Sequence, residues 1–546
     1  MQEENSVTTS KILALALAGL SPAANAQDPN HGAVTSQLGS VHFAASCNPS
    51  AEATFNRGVA LLHSFWFSAS IETFNEVLRQ DPSCVMADWG IAMSEWGNPF
   101  GSFRSPRALA AGTAAVAHAE ATGFKTDRER AYLMAVKELY ESATNVSERT
   151  RTVAYEDAMA HLAASYPNDI EARIFYALAI DQDIDPTDKT YAQRFKAAAI
   201  LEEELAKQPD HPGLAHYIIH TYDVPPLASR ALIAARRYAK IAPAAPHALH
   251  MPSHTFTRLG LWQESIDTNI RSAAAAGKDE NAAAEELHAL DYMVYAYLQT
   301  GQDAAARAVV NSIAPIGARI LDAPGDAAPL SAGHFALAAI PARYAIERNA
   351  WSQAAALQPR ETPFPWVDAV TYFARGLGSA LRGNPTAAAE DAEKLGRLRD
   401  ALLASKDTYW AEQVAIQQLE ATAWIALDEG RSSEALTALR DATNREDATD
   451  KAAVTPGPLK PARELLAEMF LELNRPTEAL KEFEQVMRKE PNRFRATYGA
   501  AHAASVLGDH AKARTYYASL VKICERGDTP SRPELEGARD ALAQQK

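Results

Sequence analysis

The chain is poor in cysteine, has no long apolar run and carries fewer basic than acidic residues. Three cysteines among 546 residues exclude a disulfide-dense scaffold and a cysteine-rich zinc or iron–sulfur module. No apolar run reaches the roughly 18 residues of a membrane span, so we expect no stable membrane insertion. The 53 Lys and Arg against 68 Asp and Glu give a net charge of −15. This argues against nucleic-acid binding, because contacts to phosphates need a basic surface.

Common catalytic motifs are also missing. The sequence has no P-loop, no dinucleotide-binding fingerprint, no G-x-S-x-G and no C-x-x-C. It is instead rich in Ala, Leu and Glu, which favour helices. At roughly 150 residues per domain, the length predicts three or four domains or one long array of repeats.

The first 26 residues are expected to be an export signal. Lys11 precedes the apolar run Ile12 to Leu20, and Ala24 and Ala26 supply the small residues before a cut at Gln27. Acidic residues ahead of the run depart from the pattern, so a simple apolar tail is the alternative. We predict an exported protein, periplasmic or secreted.

Export would permit a disulfide. Cys47 and Cys84 each flank a predicted helix of the first repeats and are candidates to pair. Cys524 would then be left over.

A repeat of 34 residues runs through the chain. Small residues at Gly58 and Ser70, an aromatic residue at Phe74 and a proline at Pro82 have the spacing of a tetratricopeptide repeat. Ala479 and Pro491 match positions 20 and 32 of another copy. The small residues let the two helices of a repeat touch, and the proline begins the next helix. One helix pair cannot bury its apolar stripe alone, so the pairs must stack.

The repeats predict an all-α fold, a tetratricopeptide-repeat right-handed α-solenoid of at least eight helix pairs. We expect the solenoid over residues 51–440, with its histidine-rich site within 209–300. An N-terminal extension over 27–50 precedes it. A linker over 441–461 and a C-terminal repeat pair with a cap over 462–546 follow it.

The histidines are clustered and share a register. The pairs His216/His220 and His250/His254 are each spaced i, i+4, so each pair lies on one helix face. The two pairs lie one repeat apart, and His247 belongs to the second helix. First helices line the concave surface of such a solenoid, so these imidazoles are expected on one wall.

The next repeat extends the wall. Counting back from its turn places His288, Asp291 and Tyr295 at the equivalent positions of its first helix. Asp291 and Tyr295 are our catalytic candidates, and Asp223 is expected to orient an imidazole. The metal-ligand candidates are His216, His220, His247, His250, His254 and His288.

Such a set of imidazoles predicts a transition-metal ion. Copper is favoured because it has the highest intrinsic affinity for nitrogen ligands, with zinc as an alternative. Asp291 with two histidines would suit non-haem iron. Tyr217 occupies the position of the glutamate base in an HExxH motif, so zinc-peptidase chemistry is not supported. Because there are more than four candidate ligands, either a second metal ion is bound or some of the histidines orient the ligands without binding the metal.

Two other interpretations stay open at this point. The histidines could be structural, or they could line a polar groove for a peptide or small anion. We therefore expect a metal-dependent enzyme acting on a small molecule or peptide in the groove, an oxidoreductase before a hydrolase. The alternative is a non-enzymatic scaffold that binds a peptide or partner protein.

Residues 209–220 and 246–260 also carry a resemblance. The first segment contains HPGxxHYxIH and the second contains HxxHMPSHxxxRxG. With these motifs the chain resembles a large family of bacterial tetratricopeptide-repeat proteins. The resemblance extends over most of the chain after residue 50. It implies the repeat fold and singles out these histidines, and it implies no particular reaction.

Overall fold

The computed structural model describes residues 37–101, 104–279, 281–320 and 326–544, and the predicted export signal lies outside these ranges. Within them all regular secondary structure is helical. Among these helices, none combines the length and the apolar character that crossing a membrane requires.

The first half of the chain forms helices from α1 to α13 and two short 3₁₀ turns, Pro49–Ala51 and Ala228–Ala231. The helices are α1 (Glu52–His63), α2 (Phe67–Gln80), α3 (Val85–Trp96), α4 (Pro106–Thr122), α5 (Asp127–Glu138), α6 (Glu148–Ser165), α7 (Ile170–Gln182), α8 (Ala192–Lys207), α9 (Pro212–Thr221), α10 (Leu232–Ile241), α11 (Pro246–His250), α12 (Pro252–Arg258) and α13 (Trp262–Ala276).

The second half continues with helices of the same kind. They are α14 (Ala283–Gln299), α15 (Asp303–Gly317), α16 (Leu330–Ile346), α17 (Trp351–Ala355), α18 (Pro365–Ala380), α19 (Pro385–Ala404), α20 (Thr408–Asp428), α21 (Ser432–Ala448), α22 (Ala462–Glu472), α23 (Pro476–Lys489), α24 (Phe494–Val506), α25 (His510–Ile523) and α26 (Pro533–Gln544).

Consecutive helices pack on one another throughout, so the chain is an α-solenoid of tetratricopeptide-type helix pairs, as predicted. The turns within pairs have the backbone that their residues favour. Gly301 has a φ of 67° and Gly430 a φ of 78°, and Asn349 replaces glycine in a turn with a φ of 52°. Glycine adopts this left-handed conformation without strain, and asparagine tolerates it.

The small residues of the first repeat act as the pattern requires. A Cβ atom on Gly58 would lie 2.8 Å from Phe74 Cε1, so α1 and α2 touch closely there. Ser70 Oγ donates a hydrogen bond to the Gly58 carbonyl oxygen (3.0 Å). Cys47, ahead of this repeat, and Cys84, just after it, form the disulfide for which the sequence made them candidates. Cys524 is a buried free thiol.

Two contacts between distant parts of the chain form the surroundings of the histidines. Helix α1 packs against α9, although about 150 residues separate them. The segment expected to be a linker, 441–461, contains the end of α21 and then a non-helical stretch, 449–461. Its Asp450 amide donates to the Pro186 carbonyl oxygen (3.2 Å), so this stretch crosses the solenoid instead of only joining two repeats.

Candidate metal centre

Prolines set the positions of the histidine-bearing helices. Pro212, Pro246 and Pro252 begin α9, α11 and α12, where the missing N–H costs nothing. Pro252 also divides what would be one helix, because proline cannot donate the hydrogen bond that a helix interior needs. Met251 nevertheless keeps a helical conformation (φ −52°, ψ −35°), so His250 and His254 stay on one face.

The structure brings all six predicted histidines together as two adjacent groups of three. Within each group the ligand nitrogen atoms lie within 4.8 Å of one another. All six side chains are at most 7% exposed. The first half-site is His216, His220 and His247; the second half-site is His250, His254 and His288. The ring centroids of His220 and His254 lie 6.0 Å apart and join the two half-sites.

Hydrogen bonds determine the tautomers in the second half-site. His250 Nδ1 lies 2.7 Å from Asn269 Oδ1, and the amide nitrogen of Asn269 donates to the Ser265 carbonyl, which fixes the amide orientation. His254 Nδ1 lies 2.9 Å from Asp223 Oδ2. Both acceptors require an N–H at Nδ1, and a neutral imidazole has only one N–H. The Nε2 atoms of both rings therefore carry lone pairs, and they face each other at 3.1 Å.

The first half-site has a similar arrangement. His216 Nδ1 donates to the carbonyl oxygen of His63 (2.7 Å), and its Nε2 lies 3.1 Å from His247 Nε2. Several buried ring nitrogens have no hydrogen-bond partner among the described residues: His220 Nε2, His247 Nδ1 and His288 Nδ1. Unpaired buried nitrogens are costly unless something else binds them.

Burial keeps these imidazoles neutral. Desolvation lowers the pKa of His216 and of His288 to about 3. The pKa values of His220, His247 and His250 are also well below the ordinary value, first because of burial and then because of the neighbouring histidines. Neutral imidazole is the form that binds a metal ion.

Asp223 orients the His254 imidazole of the second half-site, as expected. Besides His254 it accepts from Arg258 Nε (2.9 Å) and Lys451 Nζ (3.2 Å). These cations and the imidazole N–H hold the pKa of the Asp223 carboxyl well below its usual range against the opposing effect of burial. An ionised carboxylate behind a ligating histidine raises the basicity of the far nitrogen.

Asp291 and Tyr295 do not contribute to either half-site. The Asp291 carboxylate is bound by Arg343 Nε (2.8 Å), and Tyr295 Oη donates to Glu490 Oε2 (3.1 Å) and accepts from Arg493. Both predicted catalytic residues thus lie in ion-pair and hydrogen-bond networks outside the two half-sites. Each repeat is rotated relative to the one before it. The repeat positions that carry half-site histidines in α9 and in α11–α12 therefore face other neighbours in α14.

Tyr292, and not the predicted Asp291, packs against the second half-site. Its ring centroid lies 4.8 Å from those of both His250 and His254. Its hydroxyl oxygen lies 3.0 Å from the carbonyl oxygen of Ala453 and 3.1 Å from that of Thr455, and its single O–H donates towards them. The stretch 449–461 is thereby fastened over the second half-site.

Sequence reasoning also missed a third buried group. Glu171 lies between His63 Nε2 (2.9 Å) and His211 Nε2 (3.0 Å), and Tyr217 Oη bonds His63 Nδ1 (2.8 Å). No sequence pattern links these residues, since His63 and Glu171 lie 108 positions apart. Hydrogen bonds within the group satisfy most of its atoms, so we treat it as a support behind His216.

Two cavities reach the half-sites. One of about 450 Å³ is lined by His220, Phe100 and Asp223, and one of about 480 Å³ is lined by His247 and Phe65. The Phe65 ring packs on His247 and His216, with a backbone φ of 54° that is unusual for phenylalanine. The half-sites are therefore not on an open concave wall but under α1 and the 449–461 stretch.

Comparisons with known proteins bear on the fold only. No protein-family model and no curated protein matches the chain. Among solved structures, it is similar to the TPR domain of P58(IPK) at 16% identity, covering 69% of this chain and 99% of that one, with a TM-score of 0.21. It is similar to yeast Tom70 at 11% identity, covering 91% and 89%, with a TM-score of 0.28. It is similar to the human IFIT1 dimer with m7Gppp-AAAA at 12% identity, covering 80% and 90%, with a TM-score of 0.34. Nothing about the histidine site follows from these likenesses.

Proposed function

We propose that this chain is an exported metalloenzyme whose two half-sites hold a pair of transition-metal ions. Each half-site offers three imidazole nitrogens, which leaves a coordination position of each ion free for a reactant. Copper is the favoured metal, with iron and zinc as alternatives, and an oxidoreductase is favoured over a hydrolase.

The observation that carries the proposal is the contact between His250 Nε2 and His254 Nε2. Two lone pairs 3.1 Å apart repel each other unless a cation lies between them. A proton is disfavoured because burial lowers the pKa values of both rings. Two nitrogens at roughly 2.0–2.1 Å from one metal ion and about 95° apart lie about 3 Å from each other, so the spacing suits a metal ion.

The donor set favours copper. All six ligands are imidazoles, and Asp291, the carboxylate that would have suited iron, is bound to Arg343. Copper(II) has the highest affinity of the divalent first-row metals for nitrogen ligands. Copper held by imidazole supplies electron-transfer and oxygen chemistry.

At the second half-site, an oxidoreductase fits the surroundings better than a hydrolase. Hydrolysis needs a general base beside the metal-bound water. The nearest carboxylate to the second half-site, Asp223, is already bound by His254, Arg258 and Lys451. Aromatic rings of Phe65, Phe100 and Tyr292 instead pack against the imidazoles.

The test is the metal content of the full chain, produced without a His tag and measured by elemental mass spectrometry. We expect stoichiometric copper, iron or zinc, with the ion of the second half-site lost in the His250→Ala/His254→Ala double variant. The exposed histidines His502 and His510 provide the control, and their double alanine variant should keep the metal.

Absence of stoichiometric metal, even after reloading with copper, iron and zinc salts, would refute the metalloenzyme. The chain would then be better explained as a scaffold that binds a peptide or partner protein, a role with which the solenoid fold is compatible. Binding to such a partner should not change when a chelator is added.

A further inference from the structure

The two half-sites differ in the space that lies next to them. Of the six half-site histidines, only His220 lines the cavity of about 450 Å³, and only His247 lines the cavity of about 480 Å³. Both of these histidines belong to the first half-site. Cavities of this size are typical of small-molecule sites, so each of them has room for a reactant beside the first half-site.

The aromatic residues that pack on the first half-site also line these cavities. The Phe100 ring stacks on His220, with the ring centroids 4.2 Å apart, and Phe100 is half-buried and lines the same cavity as His220. Phe65 has the equivalent position at His247, with the ring centroids 5.6 Å apart and both residues lining the other cavity. Each of these two imidazoles therefore borders both an aromatic ring and space that a reactant can occupy.

One ring contacts all three imidazoles of the second half-site. The Tyr292 ring centroid lies 4.8 Å from those of His250 and His254 and 5.3 Å from that of His288. The exposed fraction of the ligands does not distinguish the half-sites, because His288 is 6% and His220 7% exposed. The covering residues do distinguish them, since Tyr292 is fully buried.

Buried hydrogen bonds hold the Tyr292 ring in place. Its hydroxyl oxygen lies 3.1 Å from the carbonyl oxygen of Thr455, in the stretch 449–461. Arg343 fastens the same stretch, because its Nη2 donates to Thr455 Oγ1 (2.8 Å) and to the Gly457 carbonyl oxygen (3.1 Å). Arg343 is 1% exposed, and buried hydrogen bonds of a charged group are costly to break. The covering of the second half-site is therefore a fixed part of the fold.

We infer that a reactant reaches only the ion of the first half-site, because the Tyr292 ring closes the second half-site to small molecules. Three imidazoles leave a coordination position free on the second ion as well, so access and not the number of ligands distinguishes the two ions. The first half-site is then the one at which the reactant is bound. This assignment rests on the proposed function, because it requires a metal ion in each half-site.

Azide, a small anion that binds copper(II), is the probe for access. Ligands are replaced by leucine, which fills a similar volume and has no donor atom. The His250→Leu/His254→Leu chain keeps only the first half-site, and the His216→Leu/His247→Leu chain keeps only the second. Each full chain is loaded with copper(II) and titrated with azide, followed by electron paramagnetic resonance. We expect azide to bind the second of these proteins more weakly by a factor of about ten or more.

Removal of the covering ring is the second arm. In the chain that keeps only the second half-site, Tyr292→Ala should open the way to the ion and strengthen azide binding by a factor of about ten or more. Tyr297→Ala, on the same helix, is the control and should leave azide binding weak, because the Tyr297 ring packs against the cluster around Trp262. Unchanged azide binding after Tyr292→Ala overturns the inference, and so does equal binding to the two leucine variants.

Copper content, measured on the same samples by elemental mass spectrometry, separates the possible failures. Copper in both leucine variants with equal azide binding refutes only this inference. Copper in one variant alone also refutes it, because an ion is required in each half-site. Copper in neither variant refutes the proposed metalloenzyme, and the inference with it. If Tyr292→Ala does not fold, the comparison of the two leucine variants decides alone.

Discussion

His250 and His254 turn their Nε2 atoms towards each other at 3.1 Å because their Nδ1 atoms are committed to Asn269 and Asp223. The two outer hydrogen bonds thus aim two lone pairs at one point before any ion arrives. Such preorganisation reduces the cost of binding a metal ion, since the rings need no reorientation.

The two half-sites should bind ions separately. We expect about two metal ions per chain in the wild type and about one in the His216→Ala/His247→Ala variant, because that variant leaves the second half-site intact. Elemental mass spectrometry after dialysis gives the count. One ion in the wild type, abolished by removal of ligands from either half-site, would indicate a single shared centre.

Asp223→Asn should weaken the second half-site without removing a ligand. Its carboxylate orients His254 and polarises it, and loss of such a partner typically costs about 10–100-fold in metal affinity. A competition titration with a coloured chelator measures the change. Asp267→Asn is the matched control, because Asp267 is exposed and its carboxylate accepts a hydrogen bond from Gln263. Equal affinities in the two variants would show that Asp223 has only a structural role.

The sequence predicted the grouping of the six histidines because helix periodicity and the repeat length determine it together. An i, i+4 spacing fixes a helix face, and a 34-residue offset places two such faces in register. The contribution of Tyr292 depends on the rotation between successive repeats, which no local pattern encodes. Some contacts at the site join residues far apart in the sequence: His63 and His216 are 153 positions apart, and Asp223 and Lys451 are 228 apart. These contacts form only when the distant repeats pack together.

The first repeats should be intolerant of small increases in volume. Phe74 lies between two glycines: a Cβ atom on Gly90 would come within 2.3 Å of one side of its ring, and one on Gly58 within 2.8 Å of the other. The ring therefore has no space into which to move. Gly90→Ala should destabilise by about 1–3 kcal/mol, the usual cost of overpacking.

Thermal unfolding followed by circular dichroism measures this effect. Gly537→Ala is the control, because a Cβ atom there meets nothing within 4 Å. In α26 that change should be neutral or stabilise by up to about 1 kcal/mol, since alanine favours a helix. Similar melting temperatures for the two variants would contradict the close packing around Phe74.

The half-site histidines should make the metal-free protein sensitive to acid. Burial lowers the pKa values of His216 and His288 to about 3, whereas an unfolded histidine titrates near 6.5. Between these values the unfolded chain binds more protons than the folded one. The contribution of these imidazoles to stability is therefore complete above about pH 6.5 and falls as the pH decreases towards 3.

Buried carboxyls act in the opposite direction, so the comparison must isolate the imidazoles. Burial raises the pKa of Glu285 to about 8, which makes the folded state bind more protons and favours it as the pH falls below that value. The melting temperature of the chelator-treated wild type should therefore be compared with that of His216→Gln/His288→Gln at pH 7 and pH 5, with exposed His161→Gln as the control. Relative to that double variant, the wild type should lose stability at pH 5, because only the wild type has these two imidazoles to protonate on unfolding. The His161→Gln control should show the wild-type pH dependence. The difference in melting temperature between the wild type and the double variant could instead be the same at both pH values. The two imidazoles would then not be held neutral in the folded protein. In that case the argument from their lone pairs would fail for both half-sites.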